Sequence, residues 1–85
     1  MQSQAAPEQE LEAFYAYGYR GRAMFAVRAP FTMDAEGRGL VGRIVRIHGA
    51  HYEVRAIARQ ISGPIAAGEP IGVEVCAVAP KRAVA

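Results

Sequence analysis

The sequence predicts an all-β domain: a small curled sheet or barrel of four to five short strands, with a short helix or turn ahead of them. Three observations predict it. Leu40 to Ala58 reads as an antiparallel hairpin turning at His48-Gly49, Ile71 to Val78 alternates with a period of two, and turn signals break up the rest of the chain. At 85 residues the chain has apolar surface for one core at most, so residues 8–79 are taken as one domain between tails at 1–7 and 80–85.

The hairpin can be tested by pairing. With His48-Gly49 as the two central residues of a tight turn, Ile47 opposes Ala50, Val45 opposes Tyr52, Arg43 opposes Val54 and Val41 opposes Ala56. That face is almost wholly apolar, and Val41, Val45, Ile47, Tyr52 and Val54 are its core candidates. The other face pairs Arg46 with His51, Ile44 with Glu53, Gly42 with Arg55 and Leu40 with Ile57, a mixture suited to partial exposure. A slip of one residue would mix the two faces, so the pattern fixes the register.

The remaining elements follow in order. Pro7 with Glu8, Glu10 and Glu12 is a helix-start pattern, and Leu11, Phe14 and Tyr15 would share a helical face, so residues 8–14 are read as a short helix or turn. The competing reading runs a strand through Tyr15, Tyr17 and Tyr19. Ala23 to Arg28 reads as a strand with Phe25 and Val27 on one side and Met24 on the other, stopped by Pro30. Asp34 to Gly39 reads as a loop; Ser62-Gly63-Pro64 and Ala67-Gly68-Glu69-Pro70 are turns bracketing Ile65. In the last strand Ile71, Val73, Val75 and Ala77 share one face.

Composition narrows the classes. The chain is 52% hydrophobic and 21% charged, too apolar for a disordered polypeptide. No segment approaches the roughly 20 apolar residues of a membrane helix, and the first residues lack a signal-peptide pattern, so no membrane role is expected. Cys76 is the one cysteine, which removes disulfide frameworks and fits a reducing compartment such as the cytoplasm. The net charge of +2 is unevenly placed: three glutamates lie before residue 13, leaving ten bases against five acids beyond it. Nine of the ten bases are arginine.

No constellation carries catalysis. Ser3, Thr32 and Ser62 lie in no nucleophile signature, Asp34 and Glu36 are exposed loop acids, and Gly37, Gly39 and Gly42 lack the lysine and helix of a phosphate loop. His48 and His51 are too few ligands for a metal site. The reading is therefore non-enzymatic, with no catalytic residue, metal, cofactor or small-molecule substrate.

Gly42-x-Ile44-x-x-Ile47-x-Gly49-x-x-Tyr52-x-Val54, followed by Ile65-x-x-Gly68-Glu69-x-Ile71-x-Val73-x-Val75, resembles small SH3-like or OB-like barrels. It is similar to the C-terminal barrel of NfeD-type proteins and to short barrel proteins of phages and prophages. The resemblance covers residues 40–78. The NfeD-type family carries a hydrophobic anchor that has no counterpart in these residues, so its membrane role does not transfer. The phage-type resemblance implies a virion-assembly or accessory protein, placed in the host cytoplasm or the virion, and supplies no catalytic residue.

Two binding surfaces remain. Tyr15, Tyr17 and Tyr19 are anchors for a protein partner or for self-association into a homo-oligomer. Arg46, His51, Arg55 and Arg59, with the tyrosines nearby, form the alternative, a basic and aromatic surface for single-stranded nucleic acid. The expected function is a non-catalytic protein-interaction or assembly module.

Overall fold

A computed structural model describes residues 9–59 and 61–78, and the expected tails at 1–7 and 80–85 lie outside them. Two-residue turns with a glycine in second place organise the chain. Arg20 and Gly21 (φ 52° and 78°) and His48 and Gly49 (φ 50° and 81°) have the paired positive φ of the turn whose twist matches antiparallel strands. The first joins β2 (Ala13–Tyr19) to β3 (Arg22–Arg28), the second β4 (Ile44–Ile47) to β5 (Ala50–Ala58). A short β1 (Gln9–Glu10) precedes them and β6 (Pro70–Ala77) follows, giving one six-stranded sheet in the order β1-β4-β5-β6-β3-β2.

That order curls the sheet. β1 and β2 lie at its opposite margins, yet only Leu11 and Glu12 separate them. The Leu11 N–H donates to the Arg46 carbonyl on the β4 side (2.9 Å), while the Glu12 carbonyl accepts from the Arg28 N–H on the β3 side (2.9 Å). Two adjacent residues thus draw the margins together at one corner, producing a half-barrel. Inside it pack Val27 from β3, Val45 and Ile47 from β4, Val54 from β5, and Ile71, Val73 and Val75 from β6. Phe25 lies edge-on to Tyr52 (centroids 5.2 Å apart) and to His48 (6.3 Å). One end of the core is covered by the two long connections, bridged through Met33 and Ile65, both buried.

The all-β class, the curled sheet and the His48-Gly49 turn agree with the sequence. The four pairs Ile47↔Ala50, Arg46↔His51, Val45↔Tyr52 and Ile44↔Glu53 stand as the pairing rule places them. Three expectations are corrected. Among the described residues there are six strands, and the described part of 8–14 contains β1 and the start of β2 in place of a helix. The alternating tyrosines pair with β3 and Leu11 packs in the core, which together outweigh a local helix-start signal. Secondly, the ladder of β4 begins at Ile44, preceded by turns through residues 40–42. Leu40 therefore falls into the core at 1% exposure, and Val41, expected there, is 38% exposed. Thirdly, the β5–β6 register shifts between Val54 and Ala56. The extra residue at this bulge, Arg55, reverses which side later residues face. Ile57 then opposes Val73 and packs against the core, while Ala56 and Ala58 oppose Glu74 and Gly72 on the outside.

Candidate functional site

Strand alternation determines what the outer face presents. Pairing places Tyr15 beside Ala26, Tyr17 beside Met24 and Tyr19 beside Arg22, all opposite to the core-facing Phe25 and Val27. On the next strand Gly72 opposes Ala26 and Glu74 opposes Met24, and beyond it Ala58 opposes Gly72. The centre of this face is therefore built from small side chains, and the tyrosines on β2 stand above it. The result is an open trough of about 700 Å³, walled by Tyr15, Tyr17 and Tyr19, floored by Met24, Ala26 and Gly72, and reaching Ile61 on the far side.

Gly72 lets Tyr17 lie across the sheet. A Cβ there would meet the Tyr17 hydroxyl at 2.5 Å and the Ala58 carbonyl oxygen at 3.3 Å, so any larger residue lifts Tyr17 from its place. Met24 is 4% exposed yet belongs to the outer face, covered there instead of in the core. The tyrosines themselves stay accessible: every residue from Phe14 to Tyr19 is exposed.

The trough ends at a polar clamp. Arg59 donates from Nε and Nη2 to Glu69 Oε2 (3.0 and 2.6 Å), and from Nη1 and Nη2 to the carbonyls of Gly63 (2.7 Å) and Pro64 (3.3 Å). The Glu69 Oε1 accepts the Ala66 N–H at 3.0 Å. Arg59, whose side chain is 10% exposed, thus fixes the connection that carries Ile61 and Ile65. The Ala66 N–H and then the Arg59 guanidinium hold the Glu69 carboxyl below its ordinary value of 4.5. A lowered folded-state value means stability fully present above 4.5 and lost as pH falls through the lower value. We expect urea midpoints of the native chain to decline on acidification below that point, and Glu69→Gln to flatten this part of the profile. Equal slopes for the two proteins would show that the clamp does not contribute to stability.

The structure brings some sequence-predicted site residues together and separates others. Arg46 and His51 are cross-strand partners on the outer face, and Arg55 stands at the bulge, four residues further along β5. At about 4.8 Å per strand, Arg46 on β4 lies four spacings (~19 Å) and His51 and Arg55 on β5 three spacings (~14 Å) from the tyrosines of β2. Arginines are paired with carboxylates across the surface: Arg22 with Glu74, Arg28 with Glu12, Arg38 with Asp34, Arg46 with Glu10, Arg55 with Glu53 and Arg59 with Glu69. Arg20 lies over the Tyr19 ring (5.3 Å) and Arg28 over Phe14 (4.9 Å). Cys76 is a free, exposed thiol opposite Glu53, and His48 packs on Phe25, away from His51. Among the described residues no three metal-ligating side chains converge.

The trough floor was missed in the sequence, although its signal was present: Met24 on the non-core side of its strand, and Gly72 where β6 alternates outward. No family model, curated protein or solved structure matches the chain.

Proposed function

We propose that this chain is a non-catalytic protein-interaction module whose docking surface is the tyrosine-walled trough and the adjoining edge of β2. The observation that carries the reading is the joint exposure of Tyr15, Tyr17 and Tyr19 along a margin strand, above a floor of Met24, Ala26 and Gly72. Tyrosines supply large contact area at low conformational cost, and a sheet edge supplies main-chain hydrogen bonds to an extended partner. The barrel-like resemblance of residues 40–78 to small phage and prophage proteins supports an assembly or accessory role in the host cytoplasm or a virion; capsid or tail genes beside this one would support it further.

Selection of displayed random peptides on the immobilised chain tests the reading. Enriched peptides should lose about 2 kcal/mol, roughly thirtyfold in affinity, on Tyr17→Ala. Failure to enrich any sequence, or undiminished binding to both Tyr17→Ala and Tyr15→Ala, would overturn it. The alternative is a nucleic-acid surface of arginine and tyrosine, favoured by the position of Arg46, Arg55 and the tyrosines on one face. The carboxylate partners of those arginines weigh against it, because phosphates would have to displace them. Salt-dependent anisotropy of labelled single strands would select this alternative.

A further inference from the structure

The β2–β3 hairpin fixes which backbone groups of β2 are committed. In a two-residue hairpin the residues flanking the turn exchange both hydrogen bonds, and bonded pairs then alternate along the ladder. Tyr19↔Arg22, Tyr17↔Met24 and Tyr15↔Ala26 are accordingly the bonded pairs, so the N–H and C=O groups of the tyrosines point to β3. Those of Ala16 and Gly18 point outward, to the margin of the sheet. Among the described residues no backbone group bonds to them.

This margin carries one device that protects edge strands, a register shift between Ala13 and Tyr15 at its start, and none of the others along residues 15–19. From Ala13 to Tyr19 the sequence Ala-Phe-Tyr-Ala-Tyr-Gly-Tyr contains no proline, no lysine and no charge. A charged partner strand would find no complement in it, whereas the strand complements itself. In an antiparallel pairing with a second copy, Phe14 lies at the register shift of β2 and Arg20 in the turn, so only Ala16 meeting Gly18 commits both outward positions of each copy, and the two-fold axis then passes between Tyr17 and its own copy. Tyr15 falls opposite Tyr19. Both tyrosine pairs occupy non-bonded positions, where Cβ atoms approach most closely, while the Tyr17 ring turns back across the sheet to Gly72. All six tyrosines lie on one face, continuous with both troughs.

Resting on the docking reading above, we infer that the partner of β2 is a second copy of this chain, joined by antiparallel β2–β2 pairing about Tyr17. The joined sheets share one closed two-fold interface, so assembly stops at the dimer.

Sedimentation equilibrium of the full chain over a concentration series tests this. The native chain should move from 9.1 kDa towards twice that mass. Gly18→Pro removes an outward N–H while sparing the β3 ladder, and should weaken dimerisation at least about tenfold. Gly18→Ala keeps the N–H, and its Cβ meets nothing closer than the Arg22 carbonyl at 3.9 Å, so the dimer should persist. Residue 17 facing itself gives a second test that does not depend on proline. Tyr17→Glu and Tyr17→Arg should each be monomeric alone and associate when mixed. A native chain that stays monomeric, a dimer indifferent to Gly18→Pro, or variants at 17 that fail to associate on mixing would each overturn the proposal. Peptide selection on the trough reads out the broader docking function independently of these results.

Discussion

Leu40→Ala is expected to cost about 2–5 kcal/mol, the range for deleting a buried leucine side chain. Leu40 sits in a turn, where an exposed residue would be the usual finding, but it is 1% exposed and part of the core cluster. The turn is held by its own bonds: the Leu40 N–H donates to the Gly37 carbonyl (3.0 Å), and the Leu40 carbonyl accepts from the Arg43 N–H (3.0 Å). These bonds oppose collapse of the loop into the space that alanine would leave. A chain of this length has a total stability of roughly 4–13 kcal/mol, so the loss is a large fraction of it. Val41→Ala, one residue on and 38% exposed, should fall within about 0.5 kcal/mol of the native chain. Urea unfolding followed by far-ultraviolet circular dichroism measures both, as shifts in midpoint at constant slope. Equal shifts would contradict the burial of Leu40.

Gly37→Ala should cost about 2–5 kcal/mol through two causes that can be separated. The backbone at Gly37 has φ +75°, where an L side chain is strained by about 1–2 kcal/mol. A Cβ would also collide with Ile57 Cγ1 and approach Val41 Cγ2 at 3.3 Å, adding about 1–3 kcal/mol of overpacking. Gly42 isolates the first cause, because its φ of +92° is comparable and nothing lies within 4 Å of a Cβ there. Gly42→Ala should therefore be the milder change in the same unfolding experiment. If the two substitutions cost the same, Ile57 does not press on Gly37, and the inward turn of Ile57 after the bulge loses its support.

Local pattern was legible wherever neighbouring residues decide the structure. The turn at His48-Gly49, four cross-strand pairs, and the burial of Val45, Ile47 and Val54 follow from alternation beside a positive-φ turn. The same signature, Tyr19-Arg20-Gly21-Arg22, marks the first hairpin. The acidic helix-start pattern before it competed successfully at the level of sequence because the pairing of Gln9 and Glu10 with β4 and the burial of Leu11 are not visible there. The bulge at Arg55 was not legible either. Nothing in Val54-Arg55-Ala56 announces an extra residue, which arises where β5 must follow both β4 and the curling β6. With it went the faces assigned to Ile57 and Ala56, and those given to Leu40 and Val41 failed where the β4 ladder stopped short of them.

The candidate site divides in the same way. The tyrosine alternation could be read directly, and it lines the trough. The small floor depends on β6 lying beside β3, a contact between residues some 45 positions apart that no local pattern encodes. Arg59 looked like a surface cation by its place in the hairpin, but its neighbours in space are Glu69 and the carbonyls of the following loop.

The sheet order also sets a timetable for folding. The hairpins β2–β3 and β4–β5 are local and can form as soon as each is synthesised, on the order of microseconds. They do not touch each other in the sheet, because β6 lies between β5 and β3 and bonds to both. The last described strand to leave the ribosome is therefore the one that completes the sheet between them; before it arrives the hairpins can meet only through β1 beside β4 and through core contacts such as Phe25 with Tyr52. A chain interrupted before Pro70 would display two apolar ribbons with open margins, and its fate would rest with chaperones and proteases.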